Sequence, residues 1–345
     1  MKQQILTLIH SVFIIFTTMS NSSKLITSVF LITLLFQVGC KKKNLVSLSI
    51  EFLSVEKGSY LKSVYFINDS IGFTCGGKRD DEGYIFKTTD GGVSWVKTTP
   101  FKPSCMYAIH FINDTIGFAG GDFLYLLTTT DGGDNWTHYP YGSDDLPFHE
   151  QNRPAIKDFS FNSNGIGYFV GGENYNKGVI YRTLDYGLTW VFDTLQQEIF
   201  SVYTTVNLSW SAGFGYIGKT NTGSRFAQQS LTNDVFTGIV ELNDNSIIAI
   251  SHTGGIYKST DSGSSWISIH KKKGVFSKSV SYNAISFQGR KGVIIADNTI
   301  LISEDYGYEW KEVDFTSYDK LTSISSLNNS IFVTTEGGDL LKFEF

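Results

Sequence analysis

The sequence predicts an all-β chain folded as a β-propeller of seven four-stranded blades. Three observations carry that prediction. The pattern Ser/Thr-x-Asp-x-Gly-x-x-Trp occurs five times, at residues 88–95, 129–136, 183–190, 259–266 and 303–310. Its acids Asp90, Asp131, Asp185, Asp261 and Asp305 lie 41, 54, 76 and 44 residues apart, and a period near 40 to 50 leaves room for four short strands per unit. Gly is 34 of 345 residues, aromatics make up 15% and Pro is only five, which is turn-rich without being low-complexity. No helix-period segment follows Cys40.

Two apolar runs, 5–16 and 25–38, open the chain, separated by Ser20-Asn21-Ser22-Ser23-Lys24. Each is shorter than the roughly 20 residues that cross a bilayer. The second ends in Val38-Gly39-Cys40, followed by Lys41-Lys42-Lys43. That arrangement resembles a bacterial lipoprotein signal, which implies lipidation of Cys40 as the mature N-terminus. Residues 1–39 are therefore expected to be a signal peptide, 40–44 the lipidated Cys40 with a basic linker, and 45–345 a single propeller domain. Residues 19–40 alone have a polar, basic head, an apolar middle and the same ending, so 1–18 reads as an extension before the true start. A cleaved secretory signal or an uncleaved anchor are the alternatives. The expected location is the periplasmic or cell-surface side of a bacterial membrane, with contact through the lipid on Cys40.

Upstream of each motif stand two further strands. They are clearest in Val64-Tyr65-Phe66-Ile67-Asn68-Asp69-Ser70-Ile71-Gly72-Phe73 and its near copy Ile109-His110-Phe111-Ile112-Asn113-Asp114-Thr115-Ile116-Gly117-Phe118. Blades are placed at 61–98, 106–139, 155–194, 198–235, 236–270 and 279–315. The fourth is degenerate and has lost its Trp. The tail 321–345 offers only three strands, and an open ring would expose an edge that invites aggregation. The apolar run 45–55 is expected to supply the missing outer strand, closing seven blades by exchange between the termini. Six blades is the alternative, if the degenerate unit is an insertion.

The motif itself is a hairpin turn. Its Asp accepts backbone N–H groups of its own turn, its Gly takes positive φ, and its Trp covers the hairpin with apolar surface. Asp90 with Trp95, Asp131 with Trp136, Asp185 with Trp190, Asp261 with Trp266 and Asp305 with Trp310 are accordingly structural pairs. The repeat resembles the Asp-box of sialidase-like propellers. With Ile71-Gly72-Phe73, Cys75-Gly76-Gly77 and Thr88-Thr89-Asp90-Gly91-Gly92, it is most similar in pattern to the photosystem II assembly factor-like family over about residues 45–345. The resemblance implies a propeller and a scaffold role.

Sialidase chemistry needs three arginines on the substrate carboxylate, a Tyr nucleophile with its Glu, and an acid/base Asp. This chain holds five arginines, Arg79, Arg153, Arg182, Arg225 and Arg290, and only Arg79 precedes the first box. Asn152-Arg153-Pro154 is a distant echo of the Arg-Ile-Pro signature and follows the second box. A glycoside hydrolase using paired carboxylates stays as the alternative function. The six His show no metal-ligand spacing, no phosphate loop is present, and no cofactor is implied. Removing 1–39 leaves 26 basic and 33 acidic residues, which argues against nucleic acid. Cys75 and Cys105 are expected as two buried free thiols, with a disulfide as the alternative.

Boxes join third and fourth strands, so they mark one face of the ring, and the long insertions fall on the other. These are 76–83, 138–157, 171–178 and 269–279. The candidate binding face comprises Tyr139, Tyr141, Asp144, Asp145, Phe148, His149, Glu150 and Arg153, with Lys78, Arg79, Lys271, Lys272 and Lys273. Long loops rich in aromatic and charged groups suit protein or sugar contacts. The expected function is a non-enzymatic, monomeric, lipid-anchored scaffold binding a protein or glycan in the cell envelope.

Overall fold

A computed structural model describes residues 45–79, 81–101, 105–141, 153–229, 234–271 and 280–345. Cys40 and the expected signal lie outside the described residues. Seven antiparallel four-stranded sheets are present. The first strands are Leu61–Phe66, Met106–Phe111, Ala155–Phe161, Ile199–Thr204, Phe236–Glu241, Tyr282–Gln288 and Leu321–Leu327, and each touches the first strand of the next blade around a closed ring. The degenerate unit is a full blade, so the count is seven.

Blade 7 closes as expected. Its inner strands Leu321–Leu327, Ser330–Thr335 and Asp339–Glu344 are joined by Glu51–Ser54 from the other end of the chain, with Glu51 opposite Lys342 and Leu53 opposite Leu340. The preceding residues do a second job. Val46 forms a parallel bridge to Val313 of blade 6, donating to the Glu312 carbonyl at 3.0 Å and accepting from Asp314 N–H at 2.8 Å. Val46, Leu48 and Ile50 pack on Val293, Ile302 and Phe343 beneath it. The segment thus ties the last two blades together.

Second and third strands are covered on both sides by neighbouring blades, so Gly72–Gly77 and Ile247–Ser251 are buried throughout instead of alternating. The Gly that opens several second strands has a steric reason. Gly72, Gly117, Gly167 and Gly292 lie opposite Phe66, Phe111, Phe161 and Phe287, and a Cβ there would come within 2.2–2.6 Å of the ring. The freed ring meets the box Trp edge-on: Phe66 with Trp95, Phe111 with Trp136, Phe161 with Trp190 and Phe287 with Trp310.

In the first box Thr88 Oγ1 donates to Asp90 Oδ1 at 2.8 Å and accepts from Gly92 N–H at 3.0 Å. Asp90 also accepts from Ser94 N–H at 2.9 Å and from the Ser94 hydroxyl at 2.6 Å. Trp95 Nε1 closes the turn on the Gly92 carbonyl at 3.0 Å. The Thr/Ser-to-Gly bond recurs in the other four boxes at 2.8–3.0 Å. Box and first turn of a blade are joined, as by Gly91 N–H to Ser70 O at 2.9 Å, which fixes both on one face.

In blades 2, 3 and 6 the box also seats its blade on the one before. Gly187, at φ +81°, lies against Phe118 of blade 2 so closely that a Cβ would stand 2.3 Å from the ring; Gly133 meets Phe73 and Gly307 meets Ile248 in the same way. From below, a lysine on the preceding blade's third strand reaches the carbonyl after the box Asp. Lys87 donates to Gly132 O at 2.8 Å, Lys219 to Ser262 O at 2.8 Å and Lys258 to Tyr306 O at 2.7 Å. Blade 4 lacks a box, and there the Tyr168 hydroxyl of blade 3 accepts from Gly223 N–H and donates to Ser224 O. Cys75 and Cys105 are buried and free, the Cys105 thiol donating to the Gly77 carbonyl at 3.2 Å.

Deleting 45–56 is expected to uncover the edge of blade 7 and the flank of blade 6, and so lower Tm and cause aggregation; size-exclusion chromatography and a melt check this, and an unchanged monomer would refute terminal closure. Hydrogen bonds to the box acids predict an acid transition. The Ser94 hydroxyl and N–H hold Asp90 at about 2, and the Asn135 N–H and side chain hold Asp131 likewise, against an ordinary 3.8. A carboxyl lowered by folding stabilises above its unfolded pKa and loses that contribution as pH falls through its folded one. Stability should therefore decline between about pH 4 and 2, and replacing Asp90 and Asp131 with Asn should flatten that decline in a pH series of melts.

Candidate functional site

All seven first strands slip register near their start, one residue after they begin in six blades and two residues after Ala155 in the third. A bulge leaves one residue unpaired and re-aims its side chain. The residues so released are Lys62, Tyr107, Lys157, Phe200, Thr237, Asn283 and Thr322. All seven line one cavity of about 320 Å³, with Lys320 and Glu336. First strands begin on the face opposite the boxes, so this is the loop-side mouth of the central channel. Deeper in, the small residues that follow are committed to the ring: Ser323 accepts from Val64 N–H, Ser63 from Ile109 N–H, and Asp158 from Val202 N–H at 2.9 Å. Burial pushes Asp158 up to about 6 and holds His110, between the rings of Tyr65 and Phe161, down to about 4.

A side pocket of about 290 Å³ opens from the mouth between blades 2, 3 and 4, sharing Tyr107, Lys157 and Phe200 with it. Blade 1 sends Arg79 to it, blade 2 Asp122 and Phe123, blade 3 Glu173, Asn174 and Tyr175, and the connection to blade 4 Glu198. Arg79 pairs with Glu173 at 2.5 Å, and Lys157 lies 3.9 Å from Glu198 and 4.5 Å from the Tyr107 ring centre. Burial raises Asp122, opposed by the Tyr107 hydroxyl and by Arg79.

Backbone strain gathers here. Phe123 and Leu124 both have φ +57°, and Asn174 and Tyr175 have φ +56° and +63°, conformations that side chains other than Gly rarely adopt. Glu198, 5% exposed, holds the second pair in place: its carboxylate accepts from Tyr175 N–H at 2.8 Å, and its own N–H donates to Tyr175 O. The result is a Tyr175 ring 54% exposed, beside Phe200 and Phe214 at 6.3 and 5.3 Å.

Of the residues expected on the binding face, Arg79 and Arg153 meet in this pocket. Lys78 lies on the same side but rests its ammonium 4.4 Å over the Tyr60 ring. Tyr139 and Tyr141 do not join them. They are half-buried against the blade 2–3 core, the Tyr139 hydroxyl donating to Leu188 O in the third box at 3.1 Å and Tyr141 lying 6.2 Å from Tyr181. Asp144, Asp145, Phe148, His149, Glu150, Lys272, Lys273 and the Lys271 side chain lie outside the described residues. Tyr107, Asp122, Lys157, Tyr175, Glu198 and Phe200 were missed. A signal for two of them, Tyr107 and Phe200, exists: apolar-x-small-apolar, as in Leu61-Lys62-Ser63-Val64, Met106-Tyr107-Ala108-Ile109, Ile199-Phe200-Ser201-Val202 and Leu321-Thr322-Ser323-Ile324, marks every bulge but that of Lys157, where Asp158 follows. Among the described residues no group of three His, Cys, Asp or Glu is placed to hold a metal ion.

No protein-family model and no curated protein matches this chain. Solved structures do. YCF48 bound to D1 peptide is similar at 18% identity with TM-score 0.67, covering 88% of this chain and all of that one. Virginiamycin B lyase from Staphylococcus aureus is similar at 14% identity and TM-score 0.64, covering 87% and 100%. The WD40 propeller domain of Doa1 is similar at 15% and 0.63, covering 86% and 96%. Identities this low establish the propeller fold alone.

Glu198→Ala would leave the Tyr175 N–H without its acceptor and Lys157 without its acid. A loss of about 1–3 kcal/mol is expected, read in denaturant melts. Faster proteolysis at the 173–176 turn should accompany it, and an equally stable, equally resistant variant would remove Glu198 from the role of holding Tyr175.

Proposed function

We propose that this chain is a non-catalytic binding scaffold that receives an extended segment of a protein partner across the loop-side mouth. The observation that carries this reading is the ring of seven bulges, which turns Lys62, Tyr107, Lys157, Phe200, Thr237, Asn283 and Thr322 toward one opening. The strained, exposed Tyr175 supports it, because aromatic anchors beside satisfied charges are the composition of binding hot spots. Three of the acids here stand in ion pairs, Glu173 with Arg79, Glu198 with Lys157 and Glu336 with Lys62, and among the described residues Asp122 alone does not, which suits recognition better than a pair of reacting carboxyls. The YCF48 structure contains a D1 peptide, so a peptide-binding site on a propeller of this kind has a precedent. Lipid on Cys40 would hold the scaffold, as a monomer, at the outer side of a bacterial membrane.

Pull-down from an envelope fraction, together with peptide and glycan arrays, tests this on the soluble chain beginning at residue 44. A protein partner is expected, with Tyr175→Ala and Phe200→Ala each weakening it by about 2 kcal/mol or more and Asp131→Ala, on the box face, leaving affinity unchanged. Binding lost with Asp131 while both aromatic variants bind normally would move the site to the other face. Binding only to glycans would replace the protein by a sugar.

A further inference from the structure

Once the pocket between blades 2, 3 and 4 is paired off, one charge of each sign is left. Arg79 has Glu173 and Lys157 has Glu198. Arg153 lines the same pocket and has no ion pair among the described residues, and its buried Nε has no hydrogen-bond partner. Asp122 is 2% exposed and lines the pocket; the Tyr107 hydroxyl approaches its carboxyl, but its Oδ2 has no hydrogen-bond partner among the described residues. The two do not neutralise each other, since no ion pair within 4 Å joins them. An orphaned buried carboxylate oxygen and an orphaned guanidinium N–H each cost stability, and such groups mark where a ligand completes the set.

We propose that this pocket binds the zwitterion of a free α-amino acid with an aromatic side chain, its carboxylate on Arg153 and its ammonium on Asp122. A ligand with one charge would satisfy one orphan and leave the other. The amides of an extended peptide are neutral and would compensate neither fully, so this inference does not depend on the scaffold reading, although Tyr175 and Phe200 serve both. Guanidinium to carboxylate and carboxylate to ammonium are both charge-assisted pairings, and both are strengthened by burial. A cavity of about 290 Å³ is at the small end of ligand sites, matched to an amino acid and not to a larger cofactor. Phe123, Tyr175 and Phe200 supply apolar and aromatic walls for the side chain.

The test is calorimetry and thermal shift on the full chain with four probes: L-phenylalanine, N-acetyl-L-phenylalanine, L-phenylalanine amide and 3-phenylpropionate. L-Phenylalanine is expected to bind and raise Tm, and each probe lacking one charge to bind about tenfold or more weakly, as the loss of a charged hydrogen bond implies. Asp122→Asn should erase the preference for L-phenylalanine over 3-phenylpropionate, and Arg153→Gln the preference over the amide. Should either variant fail to fold, the wild-type ranking decides alone. Equal affinity for all four probes, or no response to millimolar L-phenylalanine by a folded chain, overturns the proposal. A chain that captures a protein partner but ignores L-phenylalanine sinks this inference and leaves the scaffold standing; the reverse outcome sinks only the scaffold.

Discussion

The structure depends on how closely the box of one blade is pressed on the blade before it. Gly187 on Phe118 and Gly133 on Phe73 leave no room for a Cβ, and the backbone there has positive φ as well. Two independent demands therefore fall on one residue type. Everything else in the box serves that seat: Thr or Ser holds the Gly N–H, Asp holds the Thr and the turn, and Trp covers the aromatic ring beneath. A lysine from the preceding blade fixes the far side, and Lys258 is buried to 0% exposure to do so. Where blade 4 gives up the motif, Gly223 still turns at φ +87° and the Tyr168 hydroxyl of blade 3 accepts its N–H, as a Thr or Ser hydroxyl accepts the Gly N–H in a box.

Committing one face to this seating frees the other. Turns on the box face are short, saturated with hydrogen bonds and nearly identical from blade to blade. Positive φ outside glycine occurs on both faces, in the boxes at Tyr186, Ser262 and Tyr306, but on the opposite face the loops differ in length and pair such residues at Phe123 and Leu124 and at Asn174 and Tyr175. Strained backbone persists only when its surroundings over-determine it, and here Glu198 holds Tyr175 twice, its buried carboxylate accepting the Tyr175 N–H and its backbone N–H donating to the Tyr175 carbonyl. The ring of bulges has the same logic. One slipped residue per blade costs a ladder bond and turns a side chain toward the axis, and at Ser63, Asp158 and Ser323 the following residue repairs the wall by bonding the next blade. Seven different side chains at those positions then share one opening.

Much of the fold was legible in the sequence because its causes are local. A box folds within eight residues, so its period gives the size of a blade and its strand position gives the two faces. Counting three strands in 321–345 was enough to require a partner from 45–55, since an open edge is a physical liability wherever it falls. Less of the site could be read. Tyr139 and Tyr141 have the composition of binding residues but pack on blade 3, because the short outer strand Thr137–His138 delivers them to an inter-blade groove and not to the mouth. Arg79 and Arg153, 74 residues apart in sequence, meet only because the ring brings loops of different blades together.

Local chemistry in the chain was enough to fix the class of fold and to assign turns and insertions to opposite faces, and it favoured seven units closed by the two ends over six; the sheets decided for seven. Each follows from repeated short-range chemistry: an acid capping its own turn, a glycine where φ is positive, an aromatic over a hairpin. Tertiary structure alone decided which charges are paired and which are left over. Glu198 finds Lys157 and Glu173 finds Arg79 across blade boundaries, while Arg153 and Asp122 stay apart within one cavity. Pairing is set by distances of a few ångströms between residues far apart in the chain. No local pattern in the sequence encodes such distances.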